Sequence, residues 1–136
     1  MQIARLHRKI ANLRKDYLHK MTTYIAKNHS EVTIEDLNVS GMMANHKLAA
    51  AVQDQSFYEF RRHLTYKCKL VNTKLVIADR WYPSSKTCSK CGTVKKELKL
   101  DDRIFHCHAC NFTLDRDLNA AINLKCYAFN TESSSE

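Results

Sequence analysis

Two glycines and one proline punctuate the whole of this 136-residue chain. So small a supply of turn-forming residues excludes a loop-rich or low-complexity protein, and only the serine-rich C-terminal end reads as disordered. No apolar run approaches the roughly twenty residues of a membrane span, and the N-terminus lacks the apolar region of a signal peptide. Both point to a cytoplasmic protein with no membrane partner. Acid is scarce as well: 14 Asp and Glu stand against 22 Lys and Arg, a net charge of +8 with a pI near 9.3. Such an excess favours a polyanionic partner, nucleic acid first, because each cation set against a phosphate releases condensed counterions. The plainer alternative is a basic surface that serves only solubility.

Cysteine is not lacking. Cys88, Cys91, Cys107 and Cys110 form a Cys-x2-Cys-x15-Cys-x2-Cys pattern, in which each pair brings two thiolates onto one tetrahedral ion. The loop between the pairs is long enough to fold back as a zinc ribbon. A pair of disulfides is the competing reading, but paired knuckles suit a soft four-coordinate ion such as Zn2+ better, and nothing in the chain marks it as secreted. Gly92 after the first pair supplies the left-handed backbone that a knuckle needs, and Asn111, in the matching place after the second, tolerates it better than most residues. His106 and His108 flank Cys107, but four cysteines complete the shell and leave both histidines as surface groups. Cys68 and Cys126 stand alone in helical stretches and read as small buried apolar side chains.

Periodicity supplies the rest of the outline. Ile3, Leu6, Ile10, Leu13, Tyr17, Met21 and Tyr24 recur at three-or-four spacing and predict a helix over 3–27 that buries that stripe, with Arg5, Arg8, Lys9, Arg14, Lys15 and Lys20 opposite. A strand over 32–37 follows, then a loop over 38–45. A second helix is expected over 53–69, with Phe57, Phe60, Leu64 and Cys68 on one face. Residues 75–78 read as a short buried strand, Pro83 as the fixed point of a turn, and 118–127 as a last helix that packs Ala121, Ile122 and either Cys126 or Leu124 inward.

The carboxylates carry the chemistry. Glu35 and Asp36 are neighbours on a strand and point to opposite faces, so at most one of them joins an inward-facing metal site, and Glu35 is the choice. Asp117 opens the last helix, where it either caps the helix or serves as a ligand; Asp115 is open to a similar role in the turn before it. Hard Mg2+ ions take oxygen ligands, and two such ions bridged by carboxylates stabilise both the attacking water and the leaving oxygen in phosphodiester cleavage. Such a centre usually needs three or four acids. Trp81, Tyr82, Phe105 and Phe112 lie in or beside the ribbon and are expected to pack its small core, base stacking being the alternative. Ser84, Ser85 and Lys86 are either phosphate contacts or a solvated turn.

The run Thr33-Ile34-Glu35-Asp36-Leu37-Asn38-Val39, the linker Asp79-Arg80-Trp81-Tyr82-Pro83-Ser84-Ser85-Lys86, the four cysteines and Asp115-Arg116-Asp117-Leu118-Asn119-Ala120-Ala121 together resemble the C-terminal part of TnpB (OrfB) proteins. These insertion-sequence proteins, long labelled transposases, are RNA-guided DNA nucleases related to the type V CRISPR effectors. The resemblance runs from Leu6 to Tyr127. It implies an α/β, RuvC-like (RNase H-type) fold with the zinc ribbon inserted before the last catalytic acid. Glu35 matches the second catalytic carboxylate, Asp117 the third, and the four cysteines the ribbon ligands. The implied layout is a partial nuclease region over 1–80, the ribbon over 81–114, the last helix over 115–128 and a disordered tail over 129–136. The family's first catalytic Asp sits in an Ile-Asp-x-Gly setting on an earlier strand, and no such strand precedes the helix at Ile3. The expectation is therefore a truncated member that carries a structural Zn2+, binds DNA, with guide RNA as a further candidate partner, and would use catalytic Mg2+ only in a complete site. It would not cut alone unless another chain supplied the N-terminal nuclease portion. A non-catalytic zinc-ribbon nucleic-acid-binding module is the alternative.

Overall fold

A computed structural model describes residues 1–44, 56–99 and 101–133. In chain order the elements are α1 (Gln2–Asn28), β1 (Glu31–Glu35), α2 (Val39–Ala44), α3 (Phe57–Val71), β2 (Lys74–Ala78), β3 (Ile104–His106), β4 (Thr113–Asp115) and α4 (Arg116–Ser133). The architecture is mixed α/β, with one two-stranded sheet pairing β1 with β2 and another pairing β3 with β4. No helix among the described residues is long and apolar enough to cross a membrane. The chain divides into two compact units, Met1–Val32 with Leu37–Leu75 and Thr33–Asp36 with Val76–Glu136.

The first unit is a helix pair, α1 against α3. On α3 the expected face is the buried one: Leu64 and Cys68 are sealed from solvent, and His63 joins them. On α1 the expectation fails. Leu18, Thr22 and Ala26 are the buried line, while Ile3, Leu6, Ile10, Leu13, Tyr17 and Tyr24 are exposed. Two causes account for it. Thr22 and Ala26 are small and let α3 approach where tyrosines would hold it off, and every residue of α1 before Leu18 lies in solvent, so its stripe has nothing to pack on among the described residues. Lys67 of α3 bridges the pair, its ammonium donating to His19 O at 2.7 Å and to the hydroxyls of Thr22 and Thr23 at 2.8 Å each. Three acceptors satisfy the ammonium completely. Thr73 ties the far end, its hydroxyl donating to Ala26 O at 2.6 Å.

Other expectations shift in detail. Asn38 opens a short helix, α2, where a loop was expected: its Oδ1 accepts the Gly41 N–H at 3.1 Å, an N-cap bond, and a Cβ at position 41 would run into the Asn38 amide. Residue 45 of that expected loop and residues 53–55 of the expected second helix lie outside the described residues. Helix α3 instead extends to Val71 and ends on Asn72 in the left-handed conformation, φ 59°.

A buried histidine gives the first unit a pH dependence. The His63 ring lies 4.1 Å from the His19 ring, its Nδ1 has no hydrogen-bond partner among the described residues, and Arg62, Lys67 and Glu59 share its surroundings. Burial, then the positive neighbours His19, Arg62 and Lys67, hold its pKa below the ordinary 6.5, with Glu59 opposing. Because the unfolded chain takes up this proton more readily than the folded one, the stability is full above pH 6.5 and falls as pH drops below it. Denaturation followed by helix circular dichroism is expected to show a midpoint that drops between neutral and acid pH, with a shallower drop in His63→Phe. Parallel profiles for the two proteins would contradict it.

Candidate metal and acid site

The second unit carries the cysteines and both candidate acids. Two equivalent tight turns present the sulfurs. In the first, Gly92 N–H donates to Cys88 O at 2.8 Å and Cys88 N–H to Thr93 O at 2.9 Å; in the second, Asn111 N–H donates to Cys107 O at 3.0 Å and Cys107 N–H to Phe112 O at 2.8 Å. Gly92 and Asn111 both have positive φ, 78° and 57°, as the spacing required. Phe105, fully buried on β3, packs with Cys88 and Cys107 while Cys110 and Phe112 close over them. Antiparallel pairing of Phe105 with Leu114 fixes the second turn between β3 and β4.

All four Sγ atoms lie within 4.8 Å of one another, with Cys88 to Cys110 at 3.8 Å and Cys91 to Cys107 at 3.6 Å. Those separations are far beyond the ~2.05 Å of a disulfide. They match the edge of a tetrahedron with Zn–S bonds of about 2.3 Å, which is about 3.8 Å. Hydrogen bonding with the side chain and backbone of Thr93 brings the Cys91 thiol down to about 6. At Cys110 a backbone hydrogen bond at Phe112 acts downward, but desolvation and the sulfurs of Cys91, Cys107 and Cys88 push the thiol up to about 12. Four sulfurs this close make a set that could hold one metal ion between them. Among the described residues this is the one cluster of three or more cysteine, histidine or carboxylate side chains able to hold a metal. His106 is exposed and bonded to Thr113 Oγ1 at 3.0 Å, and His108 is exposed, so neither competes for the site.

Helix α4 begins at Arg116, two residues earlier than its pattern suggested, and runs on to Ser133, through 129–133 where a disordered tail was expected. Residues 134–136 lie outside the described residues. Its buried side is polar. Asn119, Asn123 and Ala128 are buried, whereas Ala121 and Cys126 are exposed and Ile122 and Leu124 only half-buried, which corrects the expected inward set. The two asparagines explain the exchange. Asn119 Oδ1 accepts the Ser89 N–H at 3.0 Å and its Nδ2 donates to Thr87 O at 2.7 Å; Asn123 Nδ2 donates to Ser84 O and Thr87 O, each at 2.7 Å. One helical turn apart, they clasp the backbone on both sides of Cys88. Sequence reading missed them because asparagine is usually exposed; the available signal was two Asn at i and i+4 directly after a cysteine pair.

Asp115 settles how the helix is capped: its Oδ1 accepts the N–H of Asp117 and of Leu118, each at 3.0 Å. The Asp117 carboxylate is therefore not used as a cap. Its side chain is 80% exposed, with the Arg116 guanidinium 3.7 Å away. Glu35, exposed at the end of β1, accepts a short hydrogen bond from the Ser84 hydroxyl, while Asp36 takes an ion pair from Arg80 at 3.2 Å. Ser84 itself is buried and so is neither a phosphate contact nor part of a solvated turn. Pro83 anchors that turn, its carbonyl accepting the N–H groups of Lys86 and Thr87. No described hydrogen bond or ion pair joins Glu35 to Asp117; each is held separately in the second unit.

This arrangement has close counterparts. The family model described as "Probable transposase" (OrfB_IS605) matches residues 1–46, and that described as "Cas12f1-like, TNB domain" matches residues 57–124. A "Putative RNA-guided DNA endonuclease" of Streptomyces pristinaespiralis is 44% identical over 123 residues, 90% of this chain and 30% of that protein. The TnpB-like protein L79 of Acanthamoeba polyphaga mimivirus is 32% identical over 128 residues, covering 90% of this chain and 24% of its own. The fold matches a chain of the cryo-EM structure of the Cas12f1–sgRNA–target DNA complex with a TM-score of 0.70 at 24% identity, over 91% of this chain and 36% of that one. The class is that of transposase-like proteins with a Cas12f1-like fold. Within it, the chain belongs to the TnpB (OrfB) family and spans about a third or less of the length of the curated relatives it matches.

Proposed function

We propose that this chain is the C-terminal nuclease portion of a transposon-encoded, RNA-guided DNA endonuclease. Its fold is read as a partial RuvC-like (RNase H-type) domain over 1–80 and 115–128, with the four-cysteine lobe over 81–114 as an inserted zinc ribbon. Cys88, Cys91, Cys107 and Cys110 would hold Zn2+ as a structural crosslink in place of a larger apolar core. Glu35 and Asp117 are the acids. The observation that carries the assignment is the division of labour at the start of α4, where Asp115 takes the cap and leaves the Asp117 carboxylate unspent. Ser84 steadies Glu35 by donating to one of its oxygens and leaves the other to bind. When bound by a complete set of acids, Mg2+ supplies charge stabilisation at the scissile phosphate. Two acids are too few to hold it tightly, so the 136-residue chain needs a third carboxylate from outside itself. DNA and guide RNA are its partners, a reading supported by the net charge of +8 and by the exposed Arg5, Arg8 and Lys9 of α1.

The test is Mg2+-dependent cleavage by the zinc-loaded chain, alone and mixed with the N-terminal portion of a family relative and its guide RNA. Alone it is expected to bind DNA in a salt-dependent way without cutting. Cleavage by the mixture is expected to disappear with either Glu35→Ala or Asp117→Ala. Robust cutting by the chain alone, or a mixture indifferent to both substitutions, overturns the assignment. A non-catalytic zinc-ribbon nucleic-acid-binding module is the second reading, favoured by the lack of any acid cluster among the described residues, and it predicts a mixture that binds but never cuts.

A further inference from the structure

We propose that Trp81 is a stacking platform for an unpaired nucleotide base, on the turn that leads to Ser84, an inference that rests on the reading of this chain as one that acts on nucleic acid. Trp81 is the chain's one tryptophan and is 85% exposed. The other aromatics of this region are packed: Phe105 is buried, Phe112 lies against the cysteine core, and the Tyr82 ring sits 4.8 Å from that of Tyr127. Single apolar residues on a surface are ordinary, and Tyr17, Tyr24, Tyr58 and Phe129 are exposed as well; Trp81 is the most exposed aromatic among the described residues and stands on a hydrogen-bonded turn.

The backbone under Trp81 is tied at every step. Its own N–H donates to Asp79 Oδ1 at 2.8 Å, and the Tyr82 N–H donates to Asp79 O at 3.0 Å. Arg80 is drawn away to Asp36 at 3.2 Å, and the Tyr82 hydroxyl donates to Asn123 O at 3.2 Å. Both chain neighbours are thus engaged, and the indole projects from a rigid turn three residues before Ser84, which holds Glu35. A ring fixed in this way has only two side-chain torsions to lose on binding. Every base offers a π face, so the platform tolerates any sequence, but a base stacked inside a duplex has no free face to give. The ligand class is therefore a single strand, or a nucleotide frayed or flipped out of a duplex.

Because Trp81 is the only tryptophan, its fluorescence reports this position alone. The zinc-loaded full chain would be titrated with a labelled single-stranded oligodeoxynucleotide of roughly 12 nucleotides and with a blunt duplex carrying the same number of phosphates. Indole emission and label anisotropy would be read together, in wild type and, by anisotropy, in Trp81→Ala and Trp81→Phe. The single strand is expected to quench the indole and the duplex to leave it unchanged. Trp81→Ala is expected to bind the single strand about tenfold more weakly, about 1.4 kcal/mol, with unchanged duplex affinity and Trp81→Phe in between. Single-strand binding without quenching, or equal weakening toward both ligands, overturns the stacking role and leaves a nucleic-acid-binding protein. No binding of either ligand at low salt overturns both the stacking role and the nucleic-acid reading above.

Discussion

Cys107→Ser is expected to abolish binding of one zinc ion per chain and to unfold the four-cysteine lobe, and a strong chelator should do the same to the wild type. The size of the effect follows from how little else holds the lobe. Its buried apolar cluster is Phe105 with Cys88 and Cys107, so two of its three fully buried members are themselves candidate ligands. Structural zinc sites of this kind contribute on the order of 10 kcal/mol at neutral pH, far more than one buried phenylalanine at about 2–3 kcal/mol. The consequence should travel into α4, because Asn119 and Asn123 grip the backbone at Thr87 and Ser89 on either side of Cys88. Metal analysis by mass spectrometry under native conditions and amide dispersion by NMR would measure both effects. A lobe that stays folded in chelator, or one that oxidises to two disulfides with no loss of order, would contradict the expectation.

Asn119→Ala is expected to cost the zinc-loaded protein about 3 kcal/mol, a large effect for a residue that touches neither metal nor substrate. Asn119 is fully buried, and its removal strands the Ser89 N–H and leaves Thr87 O with only one of its two donors, Asn123. An unsatisfied buried polar group costs about 1–3 kcal/mol, and the cavity left by the side chain adds to it. Asn119→Asp separates the two contributions. It keeps the volume and the acceptor for Ser89 but turns a carboxylate oxygen toward Thr87 O, so it should destabilise at least as much. Ala121→Ser, on the exposed side of the same helix, should change stability by less than about 0.5 kcal/mol. Denaturant unfolding with zinc held constant gives all three values, and an Asn119→Asp protein as stable as wild type would show that the hydrogen bonds are not what matters.

How much of this was legible in the sequence depends on how local each determinant is. The cysteine turns could be read because their geometry depends on a few adjacent residues: the Cys-x2-Cys spacing and a residue that accepts positive φ, Gly92 or Asn111. Helix α3 and its buried Leu64 and Cys68 followed from periodicity. The buried face of α1 did not, because the sequence presents two adjacent candidate lines and the choice lies with the partner, α3, which takes the smaller side chains of Leu18, Thr22 and Ala26. Helix α2 was hidden by Gly41, normally a loop signal, although Asn38 three residues before it is a good cap. In α4 the rule that apolar residues face inward pointed to Ala121 and Cys126, while the actual contact is with bare backbone, which only polar side chains can satisfy. At the acid site the sequence alone left Asp115 and Asp117 interchangeable as caps; the hydrogen bonds distinguish them.

The spacing of these ties along the chain also sets an order of assembly. The sulfur pairs close loops of 16 and 22 residues, and the asparagine clasps span 30 to 39. The Ser84 bond to Glu35 spans 49, and the Lys67 bridges of the helix pair span 44 to 48. Closing 49 residues from an open chain costs about 0.7 kcal/mol more entropy than closing 22. With the cysteine turns closed and the asparagine clasps made, the chain at Ser84 is already tied to α4 before the longer bond to Glu35 need close. The acid on β1 is thus expected to be the last part of the second unit to find its place, on a cysteine lobe already closed by its own shorter loops.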